Sequence, residues 1–217
     1  MTKNSISKSF LIPIIIVLNI GVYLLWNFHS APNMDLNFMA RHFLVSWTAL
    51  TEHHYDTLLG SVFSHHEFMH LFLNMFVLLN FGRVVEMILG PARFLKFYLV
   101  AGIFSSFCHA VVSAFILHEP SLPALGASGA ISGVVILFAF MFPKEKIYLF
   151  GFIGLPAIWG ALAFVGLDIW GLVAQAEGGG LPIGHGAHLG GALTGIIYYF
   201  FFLRKQLLKA GPVTEFS

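Results

Sequence analysis

Six long apolar segments constrain the fold of this chain more than any other feature of its sequence. They run from Phe10 to Phe28, from Phe68 to Leu89, from Phe94 to Leu117, from Gly126 to Phe142, from Ile147 to Gly171 and from Gly186 to Leu203. A helix that crosses a bilayer needs about 20 mostly apolar residues, because the hydrocarbon core is about 30 Å thick. We therefore expect an all-α membrane protein, a bundle of six transmembrane helices over residues 10–204, between short terminal segments at 1–9 and 205–217.

The composition of the chain agrees with a surface that faces lipid. Charged residues make up 10% of the 217 residues and hydrophobic residues 58%, whereas a typical soluble domain is about 25% charged. The net charge is only +1 and no long basic run is present, so we expect no nucleic-acid partner. Cys108 is the only cysteine in the sequence, which excludes a disulfide within the chain.

The distribution of lysine and arginine predicts how the helices cross the membrane. If the six segments span it in turn, one side receives Lys3, Lys8, Arg83, Arg93, Lys96, Lys144, Lys146, Arg204, Lys205 and Lys209, and the other receives Arg41. Positive residues concentrate in short loops on the inner side. We therefore expect both termini in the cytoplasm and a multi-pass location in the cell's inner (plasma) membrane. A cleaved signal peptide is the alternative for the first segment, but its apolar run exceeds the about 7–15 residues of such signals.

Two predicted connections have unusual compositions. The connection 29–64, called the first loop below, carries large apolar residues at spacings of three and four: Leu36, Met39, Phe43 and Trp47. This spacing is typical of an amphipathic helix lying on the membrane surface, and an ordinary ordered loop is the alternative. The connection 172–185 is rich in glycine, which suits either a mobile gate or a plain flexible linker.

Polar side chains from three of the segments fall at a similar depth. They are His65, His66, His70 and Asn74 in the outer part of the second segment, Ser128 near the outer end of the fourth, and His185 and His188 at the start of the sixth. Polar groups inside a bilayer are costly and for that reason are usually functional. We expect His70, Asn74, Ser128 and His188 to meet in one site that opens towards the outer side of the membrane.

Ser128 and His188 are the candidates for a nucleophile and its base. Their segments carry glycines in pairs four residues apart: Gly129 and Gly133, and Gly191 and Gly195. Such glycine faces let membrane helices approach closely, and a serine hydroxyl needs an adjacent base to become nucleophilic. The alternative is that these glycines and the serine only pack the helices.

His70 and Asn74 are candidates for stabilising negative charge next to that nucleophile. They are four residues apart, so a helix places them on one face, and both can donate hydrogen bonds. Donors to the oxyanion of a tetrahedral intermediate are typically worth about 10²–10³ in rate each. The alternative is an Asn–His pair that only satisfies contacts between helices.

The order of these motifs resembles the rhomboid family over essentially all of residues 10–204. The resemblance rests on HxxxN at His70–Asn74, on GxSG at Gly126–Gly129 and on AHxxG at Ala187–Gly191. It implies a rhomboid-like fold of the minimal six-helix prokaryotic type. It also implies an intramembrane serine endopeptidase that needs no cofactor or metal. The implied substrates are single-pass transmembrane proteins in the lipid bilayer, cut in or next to their transmembrane helix.

The resemblance also assigns roles to individual residues. It implies a catalytic dyad of Ser128 and His188. It implies an oxyanion site made by the backbone N–H of Ser128 and the side chains of His70 and Asn74. Glu86, at the inner end of the second segment, corresponds to a family glutamate with a structural role.

Some features of the sequence are not explained by the resemblance. The family works with two catalytic residues, so no third member is expected. Asp168, placed at the outer end of the fifth segment, and His185 therefore receive no role. The first loop also lacks the Trp-Arg pair that many family members carry at the matching place.

Two other classes of protein use similar residues. His66, Glu67 and His70 form the HExxH pattern of zinc metalloproteases, but this interpretation needs a third ligand and leaves the GxSG motif unexplained. A polar-lined transporter is the second alternative. The segments show no paired Gly/Pro breaks of the kind found in many transporters, so we prefer the protease.

Overall fold

Helices make up most of the chain in the computed structural model, which describes residues 10–27, 36–149 and 152–210. In chain order the helices are α1 (Leu11–Asn27), α2 (Leu36–Phe43), α3 (Trp47–Thr51), α4 (Thr57–Gly60), α5 (Phe68–Val77), α6 (Arg83–Leu89), α7 (Pro91–Phe115), α8 (Ser128–Met141), α9 (Ala157–Ala176), α10 (His185–Tyr198) and α11 (Arg204–Ala210). A 3₁₀ turn (Ser61–Phe63) follows α4, and π-helical turns join α5 to α6 (Leu78–Gly82) and α10 to α11 (Tyr199–Leu203). A hairpin of β1 (Lys146–Leu149) and β2 (Ile153–Pro156) lies between α8 and α9. The predicted terminal segment 1–9 and residues 28–35, 150–151 and 211–217 lie outside the described residues.

Several helices are long and apolar enough to cross a membrane. They are Phe68–Leu89, Pro91–Phe115, Ala157–Ala176 and His185–Leu208, while Leu11–Asn27 and Ser128–Met141 are apolar but shorter. These helices confirm the prediction of an all-α membrane protein. The count of six spans stays a prediction, because the 14 residues of α8 reach only about 21 Å at about 1.5 Å per residue.

The shortest of these helices, α8, lies at the centre of the bundle, where it packs against α7 and α10. Ala130, Val134 and Leu137 are fully buried there. A Cβ atom placed on Gly195 would lie 2.6 Å from the carbonyl oxygen of Gly133, so α8 and α10 approach too closely for a side chain at that position. The close approach predicted from the paired glycines is therefore confirmed.

The fifth predicted segment begins as a hairpin and not as a helix. Residues 147–149 lie in β1 and residues 153–156 in β2, with Ile147 opposite Leu155. Short apolar runs do not distinguish a strand from a buried helix, and proline lacks the N–H that a helix interior needs. α9 accordingly starts after Pro156 and continues to Ala176, beyond the predicted end at Gly171. The glycine-rich connection is correspondingly shorter, at residues 177–184.

Glu86 joins α6 to the start of α1. Its side chain is fully buried, and its carboxylate accepts hydrogen bonds from the backbone N–H groups of Phe10 and Leu11 at 3.0 Å and of Ile12 at 3.3 Å. The first N–H groups of a helix have no partners within the helix, and the N-terminal end attracts negative charge. These contacts agree with the structural role predicted for Glu86.

The described part of the first loop contains three short helices. α2 confirms a helix at the predicted place, and Met39 on its inner face is fully buried. The helix ends at Phe43, so Trp47 belongs to α3. The loop is therefore folded against the bundle, and the single amphipathic helix predicted over 36–47 is divided into two.

The first loop packs on the chain segment that leads into α8. Val45 and Ala124 form an antiparallel bridge with N–H···O distances of 2.9 and 2.8 Å. The N–H of Gly126 donates a hydrogen bond to the carbonyl of Ser61 at 2.8 Å. These bonds hold the backbone immediately before Ser128.

Candidate active site

Ser128 is the first residue of α8 and follows a tight turn. Gly126 in this turn has φ +126°, a conformation that residues with a Cβ atom rarely adopt. The N–H groups in the first turn of a helix have no acceptors within the helix. The turn therefore presents both the hydroxyl and the backbone N–H of Ser128 at the positive end of α8.

His188 lies next to Ser128, as the sequence predicts. Its Nε2 atom is 2.9 Å from the Oγ atom of Ser128, although the two residues are 60 positions apart. His188 lies in the first turn of α10, and the glycine contacts between α8 and α10 bring the two helix starts together. Both residues are partly buried, so the pair lies inside the bundle and keeps some access to solvent.

Asp168, to which the sequence assigned no role, lies next to this pair. Its Oδ1 atom lies 2.9 Å from Nδ1 of His188 and 2.7 Å from Nδ1 of His185. Asp168 is on α9 and is 4% exposed. A signal was present in the sequence, because Asp168 is the only acidic residue in its apolar segment and buried acids in membranes are usually functional.

An aromatic ring also contacts the imidazole of His188. The ring centroid of Phe164 lies 5.6 Å from that of His188. Phe164 precedes Asp168 by four residues and so shares its face of α9. The imidazole is thus held by a ring and a carboxylate from the same helix.

His70 lies beside the turn that precedes Ser128. A Cβ atom at Gly126 would lie 2.7 Å from Cε1 and 2.9 Å from Nε2 of His70. The imidazole therefore occupies space that is free only because residue 126 is a glycine. This places a side chain that can donate a hydrogen bond next to the candidate nucleophile Ser128, where the sequence predicts one.

Asn74 lies one turn further along α5. Its side chain is 7% exposed, and Nδ2 donates to the carbonyl of His70 in the same helix at 2.9 Å. An amide NH₂ group has two hydrogens, so this bond leaves one for another acceptor. The structure brings Asn74 close to His70, and its role towards an oxyanion stays a prediction.

His65 is a buried histidine to which the sequence assigned no specific role. It is fully buried in front of α5, its ring lies 4.9 Å from that of His70, and its Nε2 atom accepts a hydrogen bond from the N–H of Ala127 at 3.5 Å. Burial, with a smaller contribution from the charge of His70, lowers the pKa of His65 to about 3. A neutral His65 can therefore support both His70 and the turn before Ser128.

The HExxH interpretation fails on the local backbone. α5 begins at Phe68, and Glu67 before it is extended, with φ −95° and ψ 133°. His66 therefore lies outside the helix and does not share a face with His70, as a zinc site of this kind requires. Among the described residues, Asp168, His185 and His188 have ligand atoms within 4.8 Å of one another, but hydrogen bonds already join them.

Comparison with known proteins connects this geometry to a family. The sequence model of the rhomboid domain matches residues 52–205. Rhomboid protein 1, mitochondrial, of Saccharomyces cerevisiae is 33% identical over 192 residues, which are 85% of this chain and 51% of the yeast protein. RHOMBOID-like protein 12, mitochondrial, of Arabidopsis thaliana is 30% identical over 84% of this chain and 55% of its own length. Presenilin-associated rhomboid-like protein A, mitochondrial, of Danio rerio is 37% identical over 72% of this chain and 40% of its own length. The chain thus spans about half the length of these curated relatives.

The predicted plasma-membrane location is wrong. These relatives, which match most of the chain, are named as mitochondrial proteins. Counting lysine and arginine distinguishes the two sides of a membrane, but it carries no information on which membrane the protein occupies. The apolar helices do support a multi-pass membrane protein.

Proposed function

The chain belongs to the rhomboid family, and from this premise we propose that it is an intramembrane serine endopeptidase. Ser128 is the nucleophile and His188 is the base, in one protease domain over residues 10–204. The observation that carries the proposal is the 2.9 Å distance between Nε2 of His188 and Oγ of Ser128 inside the helix bundle. A nucleophile and a base within about 2.6–3.2 Å of each other are the core of the structural signature of covalent catalysis.

The reaction proceeds in two steps that use the same pair of residues. Oγ of Ser128 attacks the carbonyl carbon of the substrate while Nε2 of His188 takes the hydroxyl proton. The tetrahedral intermediate collapses when His188 gives that proton to the leaving amine, and an acyl-enzyme forms. Water then attacks the ester with His188 again as base, which releases the new carboxylate and restores the Ser128 hydroxyl.

The negative charge of each tetrahedral intermediate develops at the start of α8. The backbone N–H of Ser128 is one donor for it. The imidazole of His70, beside Gly126, and the remaining amide hydrogen of Asn74 are the two others. Donors already in place before the reaction stabilise the transition state without further reorganisation.

The proposed substrates are single-pass proteins whose transmembrane helix is cut near one end. A carbonyl inside a helix is bonded to the N–H four residues on, so Ser128 can attack it only after that stretch unwinds. Unwinding in lipid leaves backbone groups unsatisfied, which costs several kcal/mol each unless water or protein receives them. The first loop and residues 177–184 lie at the end of the bundle that holds Ser128, and we assign the entry of substrate to this end.

A fluorophosphonate probe tests the proposed function directly. The purified protein should be labelled at Ser128 with equal yield with and without a metal chelator, and mass spectrometry identifies the labelled residue. Ser128→Ala should remove the label. Ser113→Ala is the control, because Ser113 is a fully buried serine that donates to the carbonyl of Ala110 in its own helix and should not affect labelling. Absence of labelling at Ser128 in the folded wild type would overturn the proposal.

A further inference from the structure

One carboxylate oxygen in this protein accepts hydrogen bonds from two imidazoles. Oδ1 of Asp168 lies 2.7 Å from Nδ1 of His185 and 2.9 Å from Nδ1 of His188. The side chains of Asp168 and His185 are 6% and 8% exposed. The three residues come from two helices that pack side by side, α9 and α10.

A buried carboxylate is costly unless hydrogen bonds or a cation compensate its charge. Among the described residues, the partners of Asp168 are the two imidazoles, and none is a lysine or an arginine. Its other oxygen, Oδ2, is buried without a partner in the described part of the chain. The position of the carboxylate therefore depends on His185 as much as on His188.

The carboxylate determines which nitrogen of each ring carries the proton. A neutral imidazole has one N–H donor and one acceptor nitrogen, and a carboxylate accepts but does not donate. Nδ1 of His188 must therefore hold the proton that faces Asp168, which leaves Nε2 free to accept from the hydroxyl of Ser128. This is the tautomer that a general base needs.

The helices are shaped to place His185 against Asp168. His185 and His188 are three residues apart on α10, and Asp168 and Gly171 are three residues apart on α9, so each pair shares a face. A Cβ atom at Gly171 would overlap the imidazole of His185, with Cδ2 at only 2.9 Å. The missing side chain at position 171 is what admits the second imidazole.

From these contacts we infer that Asp168 and His185 are positioning residues of the catalytic unit. Asp168 orients His188 and stabilises the imidazolium that forms when it takes the proton of Ser128. His185 donates to the same oxygen and prevents the carboxylate from turning away. The inference rests on the proposed function and extends it from two residues to the series Ser128, His188, Asp168 and His185.

The alternative is that Asp168 and His185 only join α9 to α10. The two explanations differ in which property of the enzyme responds to substitution. A purely structural pair changes the amount of folded enzyme, whereas a positioning pair changes kcat of the enzyme that has folded. Substrate binding, and with it KM, should change little in the second case.

Three variants and one control separate these explanations. Asp168→Asn keeps the size of the side chain but removes the charge and the preference for one tautomer. His185→Leu removes the N–H donor, whereas His185→Asn keeps an N–H near the position of Nδ1. His109→Leu is the matched control, since it removes another buried imidazole, which contacts the carbonyl of Leu122 and not Asp168.

We expect kcat per folded enzyme to fall by about 10²–10⁴-fold in Asp168→Asn, the upper value being typical of a serine protease with the wrong histidine tautomer. His185→Leu should lower kcat at least about tenfold, and His185→Asn should restore most of that loss. KM should stay within about twofold throughout. His109→Leu should lower stability without a change in kcat.

A second measurement does not depend on how well the variants fold. In wild-type protein with ¹⁵N-labelled histidine, the Nδ1 proton of His188 should give a low-field proton resonance, as expected for a short hydrogen bond to a carboxylate. Absence of that resonance, or a kcat in Asp168→Asn within about twofold of wild type, would overturn the inference. Neither result would contradict the proposed function. That function is contradicted only if the fluorophosphonate does not label Ser128 in the wild-type protein.

Discussion

Gly191 on α10 lies so close to the carbonyl group of Gly129 on α8 that a Cβ atom at position 191 would overlap it. Gly129 directly follows Ser128, and Gly191 follows His188 by three residues, on the same face of α10. The contact between the two glycines therefore sets the distance between the hydroxyl and the imidazole.

Gly191→Ala should separate α8 from α10 and reduce both stability and turnover. Excess volume in a packed core typically costs about 1–3 kcal/mol, and a shift of 1 Å at the reacting groups can cost about 10²-fold in rate. Thermal unfolding in detergent and kcat on a model membrane substrate measure the two effects. Gly166→Ala on α9 is the control, since a Cβ there meets nothing within 4 Å. Equal activity of the two variants would show that the glycine contact does not set the active-site distance.

Removal of the proposed nucleophile or base should abolish cleavage. Ser128→Ala, His188→Ala and the double variant should all lose activity to a similar extent, because residues that act as a unit are not additive. Cleavage of a reconstituted substrate over long incubations, with circular dichroism to confirm folding, is the measurement. Additive losses, or substantial turnover by folded Ser128→Ala, would contradict the assignment.

The proposed oxyanion donors should affect turnover more than substrate binding. His70→Ala and Asn74→Ala should each lower kcat by up to about 10²–10³-fold and leave KM nearly unchanged, because the charge they stabilise exists only during the reaction. Asn80→Ala is a suitable control, as Asn80 is exposed and its amide bonds the carbonyl of Phe76 in its own helix. If both site variants kept the kcat of wild type, His70 and Asn74 would have a structural role only.

Acid should destabilise the protein through His65. Its pKa is about 3 in the folded protein because burial disfavours the charged form, but about 6.5 when the chain unfolds. Between about pH 3 and pH 6.5, His65 is protonated in the unfolded state but not in the folded state. The contribution of neutral His65 to the free energy of unfolding is therefore fully present above about pH 6.5 and is lost as the pH decreases. From pH 6.5 to pH 5 the loss from this residue amounts to up to about 2 kcal/mol.

His65→Gln tests this origin of the acid sensitivity, because glutamine keeps an acceptor but does not titrate. Its melting temperature should depend less on pH between 6.5 and 5 than that of wild type. His66→Gln, at the exposed neighbouring position, should behave as wild type does. Parallel pH curves for wild type and His65→Gln would show that His65 does not cause the effect.

The substrate should be cut fastest where its helix is easily unwound. Gly and Pro near the end of a transmembrane helix lower the cost of exposing a carbonyl, so replacing them with Leu should reduce kcat/KM. A parallel substitution at the opposite end of the same helix is the control. Equal cleavage of the stiffened and the parent substrate would rule out unwinding as a determinant of selectivity.

The sequence predicted the membrane class and the central pair of residues, and the reasons are local. The length of an apolar segment identifies a spanning helix without knowledge of the neighbouring helices. The spans predicted in this way agree with α5 together with α6, with α7 and with most of α10. The motifs around Ser128 and His188 also predicted their partnership, because the glycines that let two helices touch are adjacent to the reacting residues in sequence. The sequence misplaced the start of α9, because an apolar run that contains glycine and proline suits a hairpin as well as a helix.

Only the tertiary structure decided what surrounds His188. Each residue added to α9 rotates the next side chain by about 100°, so the direction of Asp168 depends on where that helix starts and how it is rotated against α10. Neither quantity can be read from local periodicity, since both result from packing between side chains far apart in sequence. The spacing of residues along the chain thus determined that Ser128 and His188 could meet, whereas the packing of α9 against α10 decided that Asp168 and His185 would join them.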